Sequence, residues 1–278
     1  MPRSRLLALA LLALPGTLPA QAATPANPVL NIVRETVKVG KSVAHNAHET
    51  AWAKAVTTAN TPDRYIAMSS VTGPSEVWYV SIFPSWAARQ KNNEAVDANA
   101  AAAAANDRFS TGDAEFLTDS RTMTLRPRPE LDYGAPADLP KMRFVSVTRI
   151  SVRPGHTQEF EDARKMIKAA HEAAQLSDGY SIWEATSGAP AGTFYMFVAR
   201  KSLAELDDAG TIHGAGYRTA LGGEEGQKKL AALMGSAVMG QQTDHFAFTP
   251  SQSLPPANYL TADPDFWKPK AGPAKKTP

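Results

Sequence analysis

The sequence predicts an α+β fold in which one βαββαβ unit occurs twice in tandem, the two copies packing sheet to sheet. Three observations carry this. Val37 and Val152, Gly40 and Gly155, Tyr65 and Tyr180, and Gly73 and Gly188 all lie 115 positions apart. A constant offset across a turn, a helix and a strand marks a duplicated unit. Second, runs rich in β-branched residues and helix-like stretches follow the same order in both halves. Third, the prolines Pro127, Pro129, Pro136 and Pro140 punctuate the chain between them.

The first copy is expected over residues 29–129. Val29 to Val39 reads as a strand, Gly40 as a turn, and Ser42 as the N-cap of a helix running to about Ala59. Arg64 to Val71 and Glu76 to Phe83 are strands joined at Gly73-Pro74. An Ala-rich helical region follows from Ser85. Its run Ala100 to Ala105 favours helix without specifying packing, so it fits a surface helix or an insertion. Thr118 to Leu125 closes the unit. Residues 130–142 form a Pro-rich linker, and the second copy is expected over 143–254. Its strands are Arg143 to Val152, Tyr180 to Thr186, Thr193 to Arg200 and His245 to Phe248, with helices at Thr157 to Gln175 and Glu224 to Val238. The βαββαβ order is the ferredoxin-like arrangement. Each such sheet carries helices on one face and leaves the other apolar, so the two halves bury those faces together. The tail from about Phe266, 266–278, reads as disordered.

The start of the chain is a different kind of segment. Arg3 and Arg5, the apolar run Leu6 to Leu14 and Ala20-Gln21-Ala22 read as a secretory signal peptide, residues 1–22, cleaved near Ala22. The mature protein is expected to be soluble and secreted or periplasmic, without membrane insertion. Losing Arg3 and Arg5 from 29 basic residues leaves 27, equal to the 27 acidic ones, which argues against a nucleic-acid partner. The absence of cysteine excludes thiol nucleophiles, cysteine-ligated metals and disulfides. No P-loop, Gly-x-Ser-x-Gly or dinucleotide fingerprint is present. The Gly-rich stretch beginning at His213 does not follow a strand and is not expected to cradle phosphate.

Two tandem units, each opening with a strand, a Gly turn and a helix, resemble the dimeric α+β barrel superfamily, which includes antibiotic-biosynthesis-monooxygenase-like and NIPSNAP-like domains. The resemblance implies a pseudo-dimeric α+β barrel within one chain, hence a monomer or weak homodimer. It also implies activities ranging from cofactor-independent oxygenases, haem-handling enzymes and isomerases to stress proteins.

Where the copies disagree, function is expected. The second-copy helix has an apolar stripe at Phe160, Ala163, Ile167, Ala170 and Ala174. The matching first-copy positions hold His45, His48, Trp52, Ala55 and Ala59. On the first strand, Glu35 stands where the sister copy has Ile150. Buried imidazoles and carboxylates need partners or water, so these substitutions predict a pocket between helix and sheet. Tyr65 and Trp78 are expected as aromatic walls beside Trp52, around a small apolar or aromatic ligand. No cofactor is the leading expectation. His45, His48 and Glu35 are the candidate catalytic residues, acting as general base and orienting carboxylate, or as ligands of a divalent metal. A haem ligand among the histidines has no sequence feature behind it. The competing expectation is a dry structural or partner-binding domain whose histidines merely cap a helix.

Overall fold

The computed structural model describes residues 27–134, 138–177, 179–207 and 214–268. The expected signal peptide, His213 and the tail beyond Lys268 lie outside the described residues. The first half contains β1 (Val29–Val37), α1 (Ser42–Thr58), β2 (Ile66–Ser70), β3 (Glu76–Phe83), α2 (Trp86–Ala98), α3 (Ala100–Asp113) and β4 (Leu117–Pro127). The second contains β5 (Phe144–Val152), α4 (Thr157–Ala173), β6 (Ser181–Ser187), β7 (Thr193–Arg200), α5 (Ala215–Ala220), α6 (Gly223–Ala237) and β8 (Val238–Phe248). Two short helices, α7 (Ala257–Ala262) and α8 (Pro264–Trp267), follow.

The eight strands close one antiparallel barrel in the order β1-β3-β2-β8-β5-β7-β6-β4. Each half supplies four neighbours with the ferredoxin-like order, β4-β1-β3-β2 and β8-β5-β7-β6. The seams are β2 with β8 and β4 with β6. Two units joined at both edges leave no open sheet edge, which is the pairing single units obtain by dimerising. The fold is therefore the α+β barrel, in fused tandem form.

The repeated landmarks have a backbone reason. Gly73 and Gly188 turn the β2–β3 and β6–β7 hairpins at φ of 79° and 74°. Each glycine also presses on the other half's last strand. A Cβ on Gly73 would stand 2.2 Å from Asp244 Oδ1 on β8, and one on Gly188 2.1 Å from Thr122 O on β4. Only glycine meets both demands without strain.

Strand parity divides the apolar residues into layers. Leu30, Ile32, Met68, Met123, Val147 and Phe246 fill the barrel interior. Beneath the second-half helices lie Ile150, Val152, Phe160, Ile182, Phe194 and Ala237. The corresponding layer of the first half is thinner, formed by Val37, Ala67, Val77 and Tyr79, and it is interrupted by buried Glu35, His45 and Glu49.

Several sequence expectations need correcting. Lys41 precedes α1 without a side-chain cap, and Ser42 is its first helical residue. The alanine run is no insertion. Asn99 caps α3 by accepting from Ala102 N–H at 3.1 Å, and α3 packs on α1 with Ala102 and Phe109 buried. Strand β8 begins seven residues before the expected His245, because Met239 to Thr243 are exposed and show no burial alternation. The tail does not loosen at Phe266. Trp267 is fully buried against Phe248, Tyr259 and Phe266, and its indole N–H donates to Pro140 O at 2.6 Å. The linker prolines thus seat the C-terminal helix.

Candidate active site

Helix α1 carries most of the candidate residues. Its buried face runs His45, Glu49, Ala53 and Val56, a spacing near four that turns it slightly away from the stripe expected at Ala55 and Ala59. Glu49, which the sequence comparison passed over, therefore enters the interior. Its sister position is Arg164, likewise buried, and that charged pair of equivalents was the available signal.

On β1, Val33, Glu35 and Val37 face α1. The Glu35 carboxylate meets His45 Nε2 at 3.1 Å, and the ring nitrogen is 3.9 Å from Glu49 Oε1. His45 is fully buried, and its Nδ1 finds no hydrogen-bond partner. An imidazole clasped between two carboxyl groups can take up or release a proton without leaving its place. His48 sits one turn away, with Nε2 3.0 Å from Phe109 O and 3.2 Å from Asp113 Oδ1. A carbonyl can only accept, so that nitrogen carries the proton. Gly112 makes room for the ring, since a Cβ there would stand 2.6 Å from His48 Cε1.

Three carboxyl groups so close cannot all ionise. Burial first, and then the charge of Glu35, push the Glu49 carboxyl up to about 9, so it holds its proton at neutral pH. The Tyr79 hydroxyl opposes this shift, although its contact with Glu49 is too loose to count as a normal hydrogen bond. Asp113 is also raised, by burial and then by Glu35, while Glu49 and His48 pull it back. Tyr65 and Tyr79 are held protonated chiefly by burial, with the charges of Glu49 and Glu35 adding to it.

A cavity of about 440 Å³ opens beneath α1 and α3. Its buried end presents Glu35, Glu49 and Tyr79, its walls include Val33, Trp52, Val56 and Tyr65, and its exposed rim carries Asn93, Asp107 and Ser110. Trp52 is fixed by its indole N–H donating to Asn106 Oδ1 at 2.9 Å and by stacking on Phe109 at 6.1 Å. Of the residues expected from sequence, Glu35, Trp52 and Tyr65 line this space. His45 and His48 stand behind the lining.

Trp78 does not belong to the pocket. Successive strand residues face opposite ways, so Val77 and Tyr79 point toward α1 while Trp78 enters the barrel. There it packs on Phe246 at 4.9 Å and donates to Glu76 Oε2 at 2.9 Å. Tyr79 takes the wall position instead. The metal set expected from sequence is also split. Ligand atoms of Glu35, His45 and Glu49 lie within 4.8 Å of one another, as do those of His48, Glu49 and Asp113. Either trio can hold a divalent cation, with Glu49 common to both.

Comparisons bear on the fold. A putative monooxygenase from Fusobacterium nucleatum subsp. nucleatum superposes with a TM-score of 0.51 at 12% identity, covering 80% of this chain and 92% of that one. An anthrone oxidase-like protein gives 0.52 at 12% identity, covering 80% and 91%. Both share the dimeric α+β barrel fold with this chain. No protein-family model and no curated protein sequence matches it.

Proposed function

We propose that this is an exported enzyme whose first half binds a small, flat, mainly apolar molecule and moves a proton on it. The single observation behind this reading is the pair of carboxyl groups at the buried end of an aromatic-walled cavity: Glu35 hydrogen-bonded to His45, and Glu49 held protonated. A carboxyl group kept protonated by burial, next to a second one bonded to an imidazole, can divide the roles of acid and base. Glu35 accepts a proton from a weakly acidic C–H or O–H of the ligand, and His45 holds that carboxylate in position. Glu49 donates to the oxygen or carbon where charge accumulates. The stack of Trp52 on Phe109, and the edge-on pair of Tyr65 with Tyr79 at 5.6 Å, give a flat ligand two aromatic surfaces.

Returning the proton at another carbon makes this an isomerase. If the carbanion instead bonds to dioxygen, the peroxide formed takes a proton and breaks its O–O bond, leaving a ketone and water, and the protein is a cofactor-independent oxygenase. The names carried by the two structural neighbours favour the second outcome and suggest a probe. Anthrone is a flat three-ring ketone with an acidic methylene. The protein should accelerate exchange of those hydrogens in D2O under argon, and oxygen uptake in air should distinguish oxygenase from isomerase. Neither exchange nor quenching of tryptophan fluorescence across a panel of such ketones and phenols would overturn the proposal.

Among the described residues, no helix is long and apolar enough to cross a membrane. This accords with an exported enzyme acting outside the bilayer. The barrel already contains the pairing that single units gain by dimerising, which supports a monomer as the working form.

A further inference from the structure

The second half buries a guanidinium that no carboxylate among the described residues neutralises. Arg164 on α4 is 6% exposed, yet its Nε has no hydrogen-bond partner. Nη2 reaches only the sulfur of Met196, at 3.3 Å, a weak acceptor. The guanidinium lies 4.8 Å from the centre of the Tyr180 ring, whose own hydroxyl is buried without a partner. Among the described residues, no carboxylate stands within ion-pair distance of it. Three other guanidinium groups of the chain do have carboxylate partners. Arg34 is paired with Glu76, Arg128 with Glu161 and Glu184, and Arg143 with Asp263.

A stacked ring face offsets part of the desolvation of a guanidinium, but it satisfies none of its N–H donors. Burial accordingly lowers the Arg164 pKa. The Tyr180 and Tyr217 side chains favour its charge, but among the described residues no negatively charged acceptor meets the Arg164 Nε–H, and the nearby Tyr180 hydroxyl makes no normal hydrogen bond.

We propose that Arg164 is the receptor for a small anion, a carboxylate or an oxyanion of similar size, held between α4 and the β6–β7 sheet. A carboxylate presents two oxygens in one plane and matches the fork of a guanidinium. Phe160, Phe194 and Tyr217 are buried in this half, so the anion proposed is a small one such as formate, acetate or bicarbonate. Tyr217 lies on α5, a helix of only six residues packed on α4. The position is the counterpart of Glu49, so the duplicated helix supplies one buried acid and one buried anion receptor. The site is separate from the first-half cavity, so its failure leaves the proton-transfer reading intact.

Equilibrium dialysis of the full chain against labelled formate tests this, with acetate and bicarbonate as competitors. The expected result is one saturable formate per chain, displaced by both competitors. Binding should be lost in Arg164→Met and weakened at least about tenfold in Arg164→Lys, which keeps the charge but not the fork. Formate should also raise the thermal midpoint of the wild type in a saturable way and leave that of Arg164→Met unmoved. The proposal fails if the wild type takes up none of the three anions, or if Arg164→Met takes up formate equally well. Should Arg164→Met not fold, the wild-type stoichiometry and the Arg164→Lys affinity decide the matter alone.

Discussion

Glu49 and Arg164 occupy the same place in the two halves of this barrel and carry opposite charges. Around Arg164 the second half packs Phe160, Phe194 and Ile182, and no carboxylate among the described residues pairs with the guanidinium. Around Glu49 the first half replaces that aromatic filling with His45 and leaves a cavity of about 440 Å³. The fold tolerates both solutions, because the barrel interior and the two seams are built the same way in each half. The difference teaches that the space beneath the helix is spare volume. One copy fills it with packed side chains, and the other leaves a cavity with ionisable groups at its buried end.

The largest effect should come from removing the base. Glu35→Gln keeps the shape of the side chain and should lower turnover of an accepted substrate by about 10²- to 10⁴-fold. Ligand affinity, read from tryptophan fluorescence, should change little. Equal losses in both would mean that Glu35 serves binding alone.

Making the first half resemble the second comes next. His45→Phe alone strands Glu35 as a buried carboxylate and should destabilise the protein by about 3 kcal/mol or more. The double change Glu35→Ile with His45→Phe installs the sister residues, and it should be neutral or stabilising by about 1–4 kcal/mol while abolishing activity. Chemical denaturation checks both variants. A double variant less stable than the single one would show that the halves are not interchangeable.

Glu49 gives a pH signature. Its pKa is higher folded than unfolded, about 9 against 4.5, so the folded chain keeps a proton that the unfolded chain releases. This group's contribution is complete below the unfolded value, declines as pH rises between the two, and is constant again above about 9. Glu49→Gln removes that decline. Its thermal midpoint should therefore gain on the wild type from mildly acidic to mildly alkaline pH. Parallel profiles would place Glu49 in water.

The smallest effect compares the hairpins. Gly188→Ala drives a Cβ into backbone at Thr122 and should cost more than about 1 kcal/mol, measured by thermal unfolding. Gly73→Ala meets only the Asp244 side chain, which can swing aside, so its loss should be smaller.

Much of this arrangement was legible in the sequence because it depends on local rules. The conserved offset carried the duplicated turns, whose glycines need positive φ, and period-two alternation placed Glu35 on the helix side of β1. Three matters were not legible. Trp78 sits one residue from Tyr79, and nothing local distinguishes the barrel face of β3 from its helix face when both are apolar. Glu49 lies off the stripe extrapolated from α4, and a small rotation of α1 decides whether such a residue is buried. Trp267 docks through contacts with Phe248 and Pro140, far away in the chain and therefore silent in composition.

The central claim is that the first half keeps a protonated carboxyl group, Glu49, beside one hydrogen-bonded to His45. Infrared difference spectroscopy of the wild type against Glu49→Gln measures this directly through the carbonyl stretch of a protonated carboxyl group. The account predicts a band at neutral pH that is absent from the variant and persists in the wild type until pH approaches about 9. A wild type without that band at neutral pH would show Glu49 ionised, and the division of roles between Glu35 and Glu49 would be wrong.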